Sequence, residues 1–192
     1  MQGLKLALML CLTWCAAPVF AETKDGKADT KAAPISPTAE AKTYDNWTYR
    51  CETPPENKDK NAAANPGGGK KQCAILQNLV LKQGGQTVMR AVVGLAPEKN
   101  QPFALFTLPL GVFLPPGVTL KIDDSEPQQF PYEICQPDGC KAILKLDDAT
   151  LDRLKKGTKA EVTFQGAGRR DVNVPLSLKG FSTAFAVLQS KP

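Results

Sequence analysis

The 192-residue chain contains no histidine. This absence excludes Ser-His-Asp and Cys-His catalysis, and it excludes any zinc site with a histidine ligand. No two cysteines have the Cys-x-x-Cys spacing of thiol–disulfide exchange enzymes. Beyond the N-terminus, no apolar run reaches the roughly 18 residues that a transmembrane helix needs. The formal net charge is only +5, with basic and acidic residues interleaved, so we expect no nucleic-acid partner. We also expect no cofactor.

The segment 1–21 is typical of a secretory signal peptide. A lysine precedes an apolar stretch at 6–17, and small side chains lead to a cleavage point after Ala21. The alternative is a lipoprotein attached through Cys15, but the bulky Trp14 before that cysteine disfavours it. The sequence therefore predicts a periplasmic, secreted or outer-membrane-associated protein with no transmembrane segment after cleavage.

Cleavage would remove two of the six cysteines and leave Cys51, Cys73, Cys135 and Cys140. An even number of cysteines behind an export signal indicates disulfides formed in an oxidising compartment. Four cysteines allow three connectivities, of which we predict Cys51–Cys73 and Cys135–Cys140. The second pair flanks Gln-Pro-Asp-Gly, a sequence typical of a tight hairpin turn with glycine at a positive φ. Free or metal-binding thiols are the alternative.

Composition divides the chain after the signal segment into three regions. The segment 22–42 has few large apolar residues, which predicts a disordered leader. Residues 43–190 are expected to form a single β-domain. Within it, 53–71 contains Pro-Pro, Asn-Pro and three consecutive glycines, which predicts a flexible insertion. The Cys51–Cys73 bridge would hold the ends of this insertion together.

Period-two alternation recurs along 43–190 and is separated by turn signals. At 118–123 and 158–165 one face is apolar and the other polar, while at 86–95 both faces are fairly apolar, which predicts a central strand packed on both sides. Helical patterns occur at 149–156, capped by one of two preceding aspartates and ended by Gly157, and at 181–189. We predict an all-β fold, an antiparallel β-sandwich of about eight or nine strands with two short helices and two disulfides.

Three groups of residues are candidates for function. The first is a basic contact surface for a polyanion or glycan, and the second is an apolar patch at 112–114 whose alternative is a buried corner. The third is a carboxylate pair for hydrolysis of envelope carbohydrate, although adjacent carboxylates on a strand or helix point apart. The basic residues are Lys58, Lys60, Lys70, Lys71, Arg169 and Arg170, and the carboxylates are Asp123, Asp124, Asp147 and Asp148.

The chain contains an ordered set of short motifs. They are Trp-Thr-Tyr-Arg-Cys at 47–51, Lys-Gln-Cys-Ala at 71–74, Leu-Pro-Leu-Gly-Val at 108–112, Leu-Pro-Pro-Gly-Val at 114–118, Cys135 with Gly139-Cys140, and Val-Pro-Leu-Ser-Leu-Lys-Gly-Phe at 174–181. Together they resemble the invasion-associated locus B family of alphaproteobacterial envelope proteins. The resemblance implies an exported, non-enzymatic β-domain without catalytic residues. It further implies a protein or glycan partner in the envelope or on a host surface, since pathogenic members are linked to entry into host red cells. The insertion 53–71 and the long leader depart from the family pattern.

Overall fold

The computed structural model describes residues 41–53, 71–80, 87–97 and 99–190. The predicted signal segment and most of the predicted leader and insertion lie outside these residues. The strands are β1 (Ala41–Tyr44), β2 (Trp47–Glu52), β3 (Gln72–Val80), β4 (Thr87–Leu95), β5 (Pro102–Leu108), β6 (Phe113–Ile122), β7 (Gln128–Phe130), β8 (Tyr132–Gln136), β9 (Gly139–Lys145), β10 (Lys159–Gln165) and β11 (Asp171–Ser177). The helices are α1 (Asp148–Lys156) and α2 (Phe181–Ser190).

The strands form two antiparallel sheets. The seven-stranded sheet has the order β1-β2-β3-β4-β5-β9-β8, and the four-stranded sheet has the order β11-β10-β6-β7. Connections between sequential neighbours are mostly hairpins, as the turn signals predicted. The predicted fold class, an antiparallel β-sandwich with two short helices, is confirmed.

The predicted number of strands, eight or nine, is too low, because the described residues contain eleven strands. The two strands that were missed are β1, with four residues, and β7, with three. Strands this short show too few alternations for period two to stand out. β1 also lies partly inside the segment predicted as leader, where Ala41 pairs with Arg50 and Lys42 with Tyr49. Backbone pairing with β2 orders these residues although their side chains bury little.

The core lies between the facing sides of the two sheets. Its members from the seven-stranded sheet include Trp47, Met89, Ala91, Val93 and Phe106, and its members from the four-stranded sheet include Val118, Leu120, Ile122, Val162 and Leu176. The apolar faces predicted at 118–123 and 158–165 are both buried. Burying a large aliphatic or aromatic side chain contributes about 1.5–3 kcal/mol, so this interior supplies most of the driving force for folding.

Helix α1 follows the predicted pattern closely. Asp147 is its N-cap, and the carboxylate accepts a hydrogen bond from a backbone N–H of the first turn at 2.7 Å. Leu151 and Leu154 face the core. Gly157 ends the helix as predicted, but with φ −72° and not in the left-handed conformation. The lack of a side chain matters there because a Cβ would lie 2.7 Å from the carboxylate of Asp123.

Helix α2 packs over the β1–β2–β3 side of the seven-stranded sheet and contacts α1. Phe181, Phe185 and Leu188 are all buried, as their helical spacing predicted. The Phe181 ring meets Trp47 edge-on at 5.1 Å between centroids and stacks on Phe185 at 5.8 Å. The helix therefore closes the core at this end of the sandwich.

Both predicted disulfides are present. Cys51 and Cys73 are register partners on β2 and β3, with an S–S distance of 2.08 Å. Cys135 and Cys140 are partners on β8 and β9, with 2.06 Å between the sulfurs. Gly139 has φ +137°, the positive value that the hairpin sequence predicted. Each bridge joins two neighbouring strands of the seven-stranded sheet.

Candidate interaction surface

Two of the four predicted carboxylates, Asp123 and Asp147, make hydrogen bonds within the fold. Asp123 accepts hydrogen bonds from the Thr158 hydroxyl at 2.8 Å and from the backbone N–H of Lys159 at 3.1 Å. The Thr158 hydroxyl is the main reason that the pKa of Asp123 lies below its ordinary value. The pKa of Asp147 is likewise lowered, chiefly by its bond to Thr150. A catalytic general acid needs a raised pKa, so neither Asp123 nor Asp147 lies in the environment of a general acid, and the hydrogen bonds of both stabilise the fold.

Asp123 and Asp124 do line a shallow polar cleft of about 270 Å³ on the outside of the four-stranded sheet, together with Lys121, Lys159 and Glu161. Charges of both signs alternate there. Within the ranges that the structure describes, no group of three potential ligands could hold a metal ion. The same part of the chain contains no helix long and apolar enough to cross a bilayer.

Of the predicted basic surface, the structure describes Lys71, Arg169 and Arg170, and Lys71 lies apart from the two arginines. Lys58, Lys60 and Lys70 lie outside the described residues. Lys71 precedes β3 near the start of β5, whereas Arg169 and Arg170 follow β10 near the end of β5. The length of β5 separates them, which is roughly 20 Å for a strand of this size. Only the two arginines are brought together, in the β10–β11 turn.

The outer side of the seven-stranded sheet carries a continuous row of aliphatic side chains. Leu76, Val92, Leu105 and Ile143 are direct register partners across β3, β4, β5 and β9. None belongs to the core, and Ile143 is 37% exposed. We call these four residues the outer aliphatic row. Cross-strand neighbours shield one another sideways, so pairing within the sheet accounts for their partial burial among the described residues.

Beside the outer aliphatic row lies a second apolar strip. The Phe103 ring covers Gly94, where a Cβ would lie 3.0 Å from the ring, and Ala74 is the next partner along. Lys145, the register partner of Phe103, lies at the end of this strip, and Arg90 lies on the opposite side of the outer aliphatic row. Neither cation has a carboxylate within ion-pair distance in the described part of the chain. The face is therefore apolar at its centre and basic at its margin.

The four-stranded sheet provides an internal contrast. Its outward positions are polar: Thr119 pairs with Thr163, which pairs with Asn173, and Lys121 pairs with Glu161. A solvated outer face of this kind is the usual pattern for an antiparallel sandwich. The outer aliphatic row departs from that pattern, which makes it a candidate interaction surface of the described residues.

This surface corrects the prediction for 86–95. Both faces of β4 are apolar and β4 is the central strand of its sheet, as predicted. Only the face of Met89, Ala91 and Val93 is buried in the core, however, and Val92 on the other side is half-buried. Apolar residues on both faces of a strand fit either a second packed layer or an apolar outer surface, and the sequence pattern does not distinguish the two.

The β5–β6 connection exposes a further apolar group. Leu110 is 58% exposed and Leu114 45% exposed, while Val112 and Phe113 are half-buried. The apolar patch predicted at 112–114 is therefore divided, since Val112 packs against the core and Leu114 faces solvent. Leu110 was not predicted as part of it.

A buried polar group joins the two sheets at the α2 end, and the sequence analysis missed it. Gln77, 8% exposed, donates from Nε2 to the carbonyls of Ser177 at 3.1 Å and Asn46 at 3.2 Å. Its Oε1 accepts from the Ser177 N–H at 3.2 Å, and Trp47 Nε1 donates to the Ser177 carbonyl at 2.9 Å. We call this set the Ser177 junction. A glutamine on the apolar face of a strand, between Ile75 and Leu79, was its signal in the sequence.

Comparison with known proteins now decides the family. The family model described as "Invasion associated locus B (IalB) protein" matches residues 47–189. The chain belongs to the IalB family. Invasion protein B homologues of Brucella abortus strain 2308 and of Brucella abortus biovar 1 strain 9-941 are each 31% identical to it over 150 residues, covering 77% of this chain and 78% of the relative. The crystal structure of invasion associated protein B from Bartonella henselae has a TM-score of 0.64 at 22% identity, covering 79% of this chain and 95% of that one, and it shows the shared fold.

Two of the IalB-like motifs of this chain, at 47–51 and 174–181, direct alternate side chains into the core. Trp47 and Ser177 belong to the Ser177 junction, and Phe181 packs on Trp47. Gly180 has φ +85°, and a Cβ there would come within 2.1 Å of the Tyr44 carbonyl oxygen. Only glycine allows the chain to turn from β11 into α2 against β1. The motif from 174 to 181 therefore specifies how the IalB sandwich is closed.

Proposed function

We propose that this IalB-family chain is an exported protein of the cell envelope that binds another protein or a glycan and catalyses no reaction. The observation that carries the proposal is the outer aliphatic row, with its apolar centre and basic margin. The absence of catalysis is supported by Asp123 and Asp147, whose carboxylates accept hydrogen bonds within the fold and have lowered pKa values. The signal-like segment 1–21 and the two disulfides support export, because such bridges form in oxidising compartments.

The names of the relatives connect the family with invasion. For this chain we propose that the partner is a component of the envelope or of a host surface, and that the contact contributes to host-cell association where a host is present. A periplasmic, secreted or outer-membrane-associated location is part of the same proposal. Fractionation of cells and N-terminal sequencing of the mature protein test it, with cleavage after Ala21 as the expected result. Four reactive thiols in the native protein would contradict export.

Site-specific photocrosslinking tests the surface. A photoreactive phenylalanine at Ile143 should give a defined adduct in intact cells, because this position is the most open of the outer aliphatic row. The matched control places the same group at Thr163, on the polar outer face of the four-stranded sheet. When Leu105→Gln is added to the protein that carries the photoreactive phenylalanine at position 143, the yield of the adduct should fall while the circular dichroism spectrum stays unchanged. Equal labelling from Ile143 and Thr163 would refute a surface-specific interaction.

A further inference from the structure

One end of the sandwich combines exposed leucines with unpaired arginines, away from the outer aliphatic row. The leucines are Leu110 and Leu114 in the β5–β6 connection, at 58% and 45% exposure. Gly111 between them has φ +90°, and a side chain there would meet nothing within 4 Å. The connection therefore stands clear of the rest of the described chain at this point.

The arginines are fixed beside these leucines by strand pairing. Gln165, at the end of β10, is the register partner of Phe113, and the turn that follows carries Arg169 and Arg170. The Arg169 guanidinium lies 4.7 Å above the centre of the Phe113 ring, an arrangement that favours a cation over an aromatic face. The loop and the turn thus form one continuous surface.

Both arginines lack an internal counter-charge. Among the described residues neither has a carboxylate within ion-pair distance. Asp171 follows directly in sequence, but its carboxylate accepts a hydrogen bond from Gln165 Nε2 at 3.0 Å. At the nearby hairpin turn, Asp138 is paired with Lys141 at 3.2 Å. An anion on another molecule could therefore form ion pairs with both guanidinium groups.

We propose that this end of the sandwich, formed by Leu110, Phe113, Leu114, Arg169 and Arg170, binds the surface of an anionic lipid bilayer. Apolar side chains that project from a loop can enter the boundary between headgroups and acyl chains. Arginines beside them then lie at the depth of the phosphates, where each strengthens binding to anionic lipid about fivefold. A projecting loop offers no groove for a peptide, which favours a lipid surface over a protein. The inference is separate from the proposed contact of the outer aliphatic row.

Co-sedimentation of the full mature protein with vesicles tests the inference. Vesicles of equal parts phosphatidylcholine and phosphatidylglycerol should bind at least about tenfold more tightly than phosphatidylcholine alone, from the contribution of two cations. The preference should shrink as salt is raised. Leu110→Ser with Leu114→Ser, and separately Arg169→Gln with Arg170→Gln, should each weaken binding to the mixed vesicles about tenfold.

A charge-matched control separates a specific surface from general attraction. Lys121→Gln with Lys159→Gln removes two positive charges from the outer face of the four-stranded sheet and should leave vesicle binding unchanged. Circular dichroism of every variant verifies the fold. The proposal is overturned if the protein ignores mixed vesicles, if the loop and arginine variants bind as the parent does, or if the lysine control loses as much affinity as the arginine pair. None of these outcomes affects the crosslinking test at Ile143.

Discussion

Removal of the Gln77 side-chain amide should destabilise the sandwich strongly although it removes almost no apolar contact. Gln77→Met keeps the approximate length of the side chain and deletes all three of its hydrogen bonds at the Ser177 junction. The Ser177 carbonyl retains the Trp47 indole as a donor. The carbonyl of Asn46 and the N–H of Ser177 lose the partner described for them.

The magnitude follows from these two groups. An inaccessible donor or acceptor left without a partner costs about 1–3 kcal/mol, so we expect a loss of about 3 kcal/mol in the free energy of unfolding. With a urea m-value of about 2 kcal/mol/M, the midpoint should fall by about 1.5 M. The m-value itself should not change, because the surface exposed on unfolding is nearly the same.

Urea denaturation followed by tryptophan fluorescence provides the measurement. Gln165→Met is the matched control, because Gln165 also donates from its amide, to Asp171 at 3.0 Å, but at an exposed site. Its midpoint should correspond to a change of less than about 0.5 kcal/mol. Equal midpoints for Gln77→Met and the parent protein would refute the conclusion that this junction holds the two sheets together.

Three further predictions concern stability. Replacing both cysteines of a disulfide by alanine should lower the free energy of unfolding by about 3 kcal/mol for Cys51–Cys73 and by about 2 kcal/mol for Cys135–Cys140, because the sequence separations are 22 and 5. Equal losses in thermal unfolding would argue against the chain-entropy account. Gly180→Ala should lower the stability much more than Gly111→Ala, since both glycines have a positive φ but only at Gly180 would a Cβ clash with backbone atoms. Similar melting temperatures would show that β1 can shift away from the new side chain at little cost. Burial raises the pKa of Tyr132 from 10.0 to about 12, so the stability associated with its neutral hydroxyl is complete below pH 10 and is lost as the pH rises through 12. In urea titrations across this pH range, the free energy of unfolding of Tyr132→Phe should fall less steeply with pH than that of the parent protein. An equal dependence on pH in the two proteins would contradict this prediction.

The parts of the fold that follow from local chemistry were predictable. Asp147 and Gly157 delimit α1 because capping depends on the residues at the helix ends. Cys135 and Cys140 pair because the four residues between them form a turn that sets the register. Period two likewise identified the buried face of the second half of β6, since polar and apolar residues alternate strictly at 118–122.

The candidate surfaces could not be predicted in the same way. Leu105 and Ile143 become neighbours only when β5 pairs with β9, which are separated by three other strands in the chain. Alternation tells which residues share a face, but it does not tell whether a second layer covers that face. The distance between Lys71 and Arg169 has the same origin, since it depends on the arrangement of whole strands.

The Ser177 junction has a consequence for how proteins of this kind are compared. The motifs at 47–51 and 174–181 close the interior of the sandwich, whereas a partner at the proposed surface would meet side chains such as Leu105 on the opposite side of the sheet. Two relatives could therefore share both of these motifs and still bind different molecules. If the outer aliphatic row is the contact, differences in ligand preference are to be sought in the outward positions of β3, β4, β5 and β9 and not in these two motifs.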